Sequence, residues 1–193
     1  MILTAEQEQI RDTLRTFARE QLAPRAAEWD KHATFPREAL RQLGELGVCG
    51  MVVPDEWGGS GLDYVSLALA MEEIAAGDGA TSTIIGVQNS VVCGPINSFG
   101  TEAQKQKYLR LVATGEWLGC FGLTEPNHGS DPSSMLTNIK DAGDHVILNG
   151  AKMWITNAGH ADLFVVYGTV DTALKHNGIC AVVVEGKTAG IEL

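Results

Sequence analysis

Two short segments of this chain hold the groups best suited to gripping a flat, polar ligand. The first runs Cys120-Phe121-Gly122-Leu123-Thr124-Glu125-Pro126-Asn127-His128-Gly129-Ser130-Asp131. Its apolar start suits a buried strand. From Glu125-Pro126 it changes to Asn, His, Gly, Ser and Asp, which is turn chemistry. A strand opening into a Gly/Ser loop gathers hydroxyls and free backbone N–H groups, as a planar ring with a phosphate tail requires. The second segment, Lys152-Met153-Trp154-Ile155-Thr156-Asn157, adds an aromatic slab and another hydroxyl, and is expected on a second strand. On the residues alone, Phe121–Ser130 fits a ligand cradle and an ordinary strand and turn at a domain junction about equally. Trp154 by itself reads as a core tryptophan of a β domain, as most strand tryptophans are.

Other chemistry-bearing groups point to bland roles. Glu125 is a candidate general base by type, but a proline follows it in a turn. His128 reads as a loop residue, and His32, His145, His160 and His176 show no metal-ligand spacing. Glu72-Glu73 read as a solvated or helix-paired face. Gly59-Ser60-Gly61-Leu62-Asp63-Tyr64 lacks the third glycine of a dinucleotide fingerprint and reads as a loop leading into a helix. Cys49, Cys93, Cys120 and Cys180 are widely spaced among apolar or small residues, the pattern of four buried reduced thiols.

The elements that must position these groups fall into two blocks, residues 1–115 and 116–193. Thr4 and Gln7 form a capping-box pattern ahead of Ile10, Leu14, Phe17 and Leu22. Pro36 suits a first helical position, with Leu40, Leu43 and Leu46 on one face and Gly47 as a stop. Asp63 can cap a helix through Val65, Met71 and Ile74. Another is expected from Thr81 to about Phe99, kinked or ended at Gly94-Pro95. Thr101 with Gln104 repeats the capping pattern before Gly115. From Glu116 the period changes: His145–Leu148, Asn149-Gly150 and Ala151–Thr156 predict a hairpin with a type I′ turn. Leu163–Tyr167 and Ile179–Val184 are further strand runs. Helices first and strands afterwards predict an α+β chain: an all-α domain, then a β-barrel or sandwich-like domain.

Composition bounds the function classes. The 193 residues are 45% hydrophobic, enough for a sizeable core. A net charge of −10 argues against nucleic acid and anionic membrane surfaces. No apolar run approaches the roughly 20 residues of a membrane span. The N-terminal residues lack signal- or transit-peptide character, so the expected location is the cytoplasm.

Together, L-T-E-P-x-x-G-S-D (Leu123–Asp131) and K-x-W-I-T-N (Lys152–Asn157) resemble the signatures of the acyl-CoA dehydrogenase family of flavoenzymes. Val53-Pro54, Trp57-Gly58-Gly59-Ser60-Gly61 and Met71-Glu72-Glu73-Ile74-Ala75 fit it too, and the resemblance runs from Leu3 to the end. It implies FAD as cofactor. Thr124 is then expected near flavin N5 and O4, with backbone groups of Phe121 and Leu123 at the pyrimidine end. Gly129 and Ser130 are expected at phosphate or the CoA thioester arm, which also makes Ser130 a substrate contact. Trp154, Ile155 and Thr156 are expected as a packing wall.

The resemblance further implies α,β-dehydrogenation of acyl-CoA, with electrons passing to electron-transferring flavoprotein, in a homo-oligomer that is a tetramer in full-length members. It places the catalytic glutamate far downstream, in a C-terminal four-helix domain beyond Leu193. No catalytic residue is therefore assigned, Glu125 is rejected as the base, and the chain alone is expected to be inactive. The alternative is a non-catalytic remnant or flavin/acyl-CoA-binding module. No Lys or Arg occurs between Arg41 and Lys105, and Ser82 stands where glutaryl-CoA-specific relatives place an arginine. A buried carboxylate without a cation is costly, so a neutral short, medium or branched acyl chain is expected.

Overall fold

Local capping chemistry at Thr4, Asp63 and Thr101 starts helices where it was expected, whereas the helix expected from Thr81 begins two residues earlier. In the computed structural model, which describes residues 2–193, Thr4 Oγ1 accepts from the Gln7 amide at 3.2 Å. The Gln7 side chain returns the bond to the Thr4 amide at 3.1 Å. Helix α1 (Ala5–Phe17) follows, passes through a π-helical turn (Ala18–Leu22) and continues as α2 (Ala23–His32). Leu14, Ala18 and Leu22 form its buried stripe. Helix α3 (Arg37–Glu45) has Pro36 at its N-cap, one residue earlier than expected, and Gly47 stops it at φ +76°. Asp63 Oδ1 accepts from the Ser66 amide at 2.7 Å and opens α4 (Tyr64–Gly77). Glu72 and Glu73 then part company. Glu72 faces solvent, whereas buried Glu73 takes both arms of Arg15 from α1 at 2.5 and 3.0 Å.

Asp78 caps α5 (Gly79–Val87), which runs through a π-helical segment (Gln88–Cys93) into α6 (Gly94–Phe99). Pro95 does not end the helix, because it sits in the first turn of α6 just after the wider π register, which leaves room for its ring. That segment also aims two amides inward. Gln88 donates to the carbonyls of Val112 and Trp117, while Asn89 accepts from the Met51 amide at 2.8 Å and donates to Val48 O at 2.7 Å. Thr101 and Gln104 form the second capping box, opening α7 (Glu102–Gln104); a π turn (Lys105–Leu109) and α8 (Arg110–Ala113) complete the series. The chain divides into two compact units, Met1–Trp117 and Leu118–Leu193.

The second unit is a five-stranded sheet curled as a half-barrel. Strand β4 (Leu163–Thr169) is its axis. Its first half pairs in parallel with β1 (Gly119–Gly122), its last residue with β2 (Asn138–Asp141), and its whole other edge antiparallel with β5 (Ile179–Glu185). Leu118, Cys120, Met135, Ile139, Leu163, Phe164 and Val165 are its buried apolar residues. A helical unit followed by a β unit is the architecture the sequence predicts.

Two details differ. The hairpin pairs β3 (Val146–Asn149) backwards onto β2, through a turn closed by Ala142 N to His145 O at 2.9 Å, and not forwards onto Ala151–Thr156. The chain leaves the ladder at Gly150 instead of reversing, and there it is pressed onto Thr137, where a Cβ would lie 2.4 Å from Oγ1. The four cysteines are free thiols, but Cys180 is exposed because β5 is an edge strand, correcting the expectation of four buried thiols. Among the described residues no helix is long and apolar enough to cross a membrane, and no cluster of metal-ligating side chains occurs.

Candidate functional site

The two motif segments, 27 residues apart between Glu125 and Lys152, meet in the β unit. Strand β1 delivers Phe121 and Gly122 and releases Leu123, Thr124 and Glu125 into the loop. Residues 152–157 do not form the expected strand. They lie as an irregular strip beside that exit, with the Met153 amide donating to Thr124 O at 2.9 Å. Lys152 Nζ donates to Leu123 O and to Glu125 Oε1, both at 2.9 Å. At the far end of the strip, Asn157 takes a left-handed backbone (φ +71°) and donates Nδ2 to Gly119 O at 3.0 Å.

Glu125 is buried and wholly engaged. Its carboxylate accepts from the amides of Leu136 (2.7 Å) and Thr137 (2.8 Å) as well as from Lys152. Burial alone would raise its pKa. The Leu136 amide, the side chain and amide of Thr137, and the Lys152 ammonium overcome that and hold the carboxyl at about 2. A permanent anion with every oxygen committed is a structural group, not a proton acceptor. His128 closes the tight turn on Glu125 through N–H to O bonds of 3.1 and 3.3 Å, with its ring nitrogen 3.5 Å from the carboxylate.

The turn continues through exposed Gly129 and Ser130 to Asp131, which accepts from the Ser133 amide at 3.2 Å. A Cβ on Gly129 would meet nothing within 4 Å, so packing within the chain does not require a glycine there. Phe121 turns to the other face of the sheet and meets Tyr167 edge-on at 5.1 Å. Trp154 is 86% exposed, which excludes the core-tryptophan reading, and its backbone is left-handed at φ +60°. A bulky residue at positive φ is an outlier that its surroundings must enforce.

Several groups here are left over by the fold. Among the described residues the hydroxyls of Thr124, Ser130 and Thr156 have no hydrogen-bond partner, although Thr124 and Thr156 are half-buried. Asn157 Oδ1 is fully buried and also unpartnered. Thr137 borders a cleft of about 640 Å³ together with Gly122, Gly150, Trp154, Ile155 and Val166. An exposed indole beside unpaired hydroxyls and an apolar cleft fits a flat ring with a polar edge. In the helical unit, Ser82 is turned onto Met71 O at 3.1 Å and is buried.

Sequence reasoning includes Lys152 and Asn157 in a motif but assigns them no role, and it misses Thr137. The legible signal was one Glu in the first motif and one Lys in the second, opposite in charge. The left-handed backbone at Trp154 had no signal at all.

Comparison with known proteins finds matches along nearly the whole chain. The sequence profile of the acyl-CoA dehydrogenase N-terminal domain matches residues 4–116, and that of the acyl-CoA dehydrogenase middle domain matches residues 120–193. The mitochondrial short-chain specific acyl-CoA dehydrogenase of Bos taurus is 43% identical over 184 residues, 95% of this chain and 45% of that protein. A chain of the solved electron transferring flavoprotein structure from Acidaminococcus fermentans superposes with a TM-score of 0.95 at 42% identity, over 98% of this chain and 50% of that one. A glutaryl-CoA dehydrogenase from Mycobacterium smegmatis, solved in complex with FADH2, gives a TM-score of 0.90 at 38% identity, over 97% and 47%. The chain thus spans about half the length of the proteins it matches.

Proposed function

Because the chain belongs to the acyl-CoA dehydrogenase family, we propose that it supplies an FAD-binding wall and part of an acyl-CoA site for α,β-dehydrogenation of acyl-CoA thioesters. The observation that carries this reading is the docking of residues 152–157 onto the exit of β1. It spends the Thr124 carbonyl on Met153 but leaves the Thr124 hydroxyl and the Trp154 indole free. FAD, when bound, supplies the acceptor for the hydrogen leaving the substrate's β-carbon. Thr124 holds the polar edge of the ring, and the backbones of Phe121 and Leu123 hold its pyrimidine end. Trp154, Ile155 and Thr156 pack against it and exclude water. Gly129 and Ser130 lie on an exposed loop open to phosphate or to the thioester arm of the substrate. Glu125 takes no proton, being held as a buried anion.

The substrate in this reading is a neutral short, medium or branched acyl-CoA. Ser82 is bonded to the backbone of its own domain, and residues 42–104 contain no Lys or Arg to pair with a distal carboxylate. Electrons pass to electron-transferring flavoprotein, a partner supported by the likeness to the Acidaminococcus fermentans structure. Homo-oligomers and a reducing, cytoplasmic setting complete it, the latter consistent with free thiols. For the 193 residues alone we expect binding without turnover, since proton removal and hydride departure need a base opposite the ring.

Titration with FAD, followed by addition of butyryl-CoA or glutaryl-CoA, tests this. Stoichiometric flavin uptake supports the reading, and protein that stays colourless overturns it. Yellow protein that butyryl-CoA does not bleach supports a flavin-binding module. Bleaching overturns the expectation of inactivity, and equal bleaching by glutaryl-CoA overturns the neutral-substrate reading.

A further inference from the structure

We propose that the buried Glu125–Lys152 pair is a positioning latch that fixes the direction of Trp154, and so makes one surface of two strips far apart in sequence. The proposal rests on the flavin-wall reading for its purpose but on geometry for its existence.

The pair joins three stretches of backbone at one point. Glu125 stands at the exit of β1, its oxygens take the amides of Leu136 and Thr137 on the approach to β2, and Lys152 reaches across to both Glu125 and Leu123 O. Both side chains are shielded, 4% exposed for Glu125 and 13% for Lys152. A buried ion pair is a poor way to add stability, because desolvating two charges offsets most of their attraction and an apolar pair would serve as well. What such a pair offers over an apolar one is a fixed direction and register.

The residue that needs a fixed direction is two positions away. An indole that is 86% exposed has few packing neighbours to hold it, so its placement must come from its backbone. That backbone is in the left-handed region, which a tryptophan adopts only under constraint. The constraints are visible on both sides. Lys152 Nζ and the Met153 amide pin the strip just before Trp154, and Asn157 pins it three residues after. Releasing Lys152 leaves the first of these pins to the single Met153–Thr124 bond.

Hydrogen exchange at single amides of the 193-residue chain separates a latch from general stability. The reporters are the Met153 amide, which bonds to Thr124 O, and the amides of β4, which form the centre of the same sheet. In Lys152→Met the β4 amides should lose only the protection that the global loss of stability dictates, while the Met153 amide should lose about 100-fold more than they do, and Lys152→Arg should restore most of that difference. Equal acceleration of Met153 and β4 would show a merely structural pair and overturn the proposal, as would an unchanged Met153 amide. FAD titration of the same variants supplies the second readout, with about tenfold weaker binding expected for Lys152→Met. If the parent chain takes up no FAD, the flavin reading fails by itself, and the exchange result still decides the latch.

Discussion

Glu125 and Thr124 are neighbours with opposite destinies: the fold consumes every polar atom of one side chain and none of the other. The Glu125 carboxyl is held at about 2 when folded, against about 4.3 for an unperturbed glutamate. The native state therefore binds fewer protons between those values. The stabilisation is complete above the unfolded pKa and is lost as the pH falls through the folded one. Glu125→Gln is expected to lower stability near pH 7 by about 3 kcal/mol. The gap from the parent should narrow as the pH falls from about 4.3 toward 2, and urea denaturation at stepped pH measures this. Thr124→Val should do the reverse. It should leave the urea midpoint nearly unchanged and weaken FAD binding by about three- to tenfold, the worth of one hydrogen bond.

At the level of elements, legibility followed the range of the interaction. The caps at Thr4, Asp63 and Thr101 act within three residues, so their side-chain types announce them. The hairpin went wrong because Asn149-Gly150 is a local turn signal, whereas β3's true partner, the polar strand Asn138–Asp141, has a weak signature of its own. The burial of Glu73 by Arg15 and the ties made by Lys152 depend on partners tens of residues away, which periodicity does not register. The tight seat of Gly150 on Thr137 gives a test at this scale. Gly150→Ala forces a methyl to within 2.4 Å of Oγ1, so Thr137 and its bond to Glu125 must shift. A loss of about 1–3 kcal/mol is expected by chemical denaturation, together with faster exchange at the Thr137 amide.

For the whole molecule, exposed apolar surface and acidity oppose each other. The β unit shows Leu136, Val146, Ile147, Trp154, Val170 and Leu174 to solvent and leaves β5 as an edge strand. The chain carries a net charge of −10. Charge repulsion between copies is screened by salt while apolar contact is not. Self-association in sedimentation velocity should therefore increase between about 0.05 and 0.5 M salt, where the screening length shrinks several-fold. A monomer unaffected by salt would count against an adhesive surface. Such measurements need a reductant, for a reason that lies in the unequal exposure of the thiols. Burial pushes Cys49 and Cys120 up to about 12 and Cys93 higher still, so none of these supplies thiolate at neutral pH. Cys180 alone stands exposed, on the rim of β5. Air should thus couple copies in pairs through that one position, and a maleimide dye should load once per chain. The same thiol that counterfeits an assembly in an unreduced sample is, once capped, a single-site reporter of whatever docks along that edge.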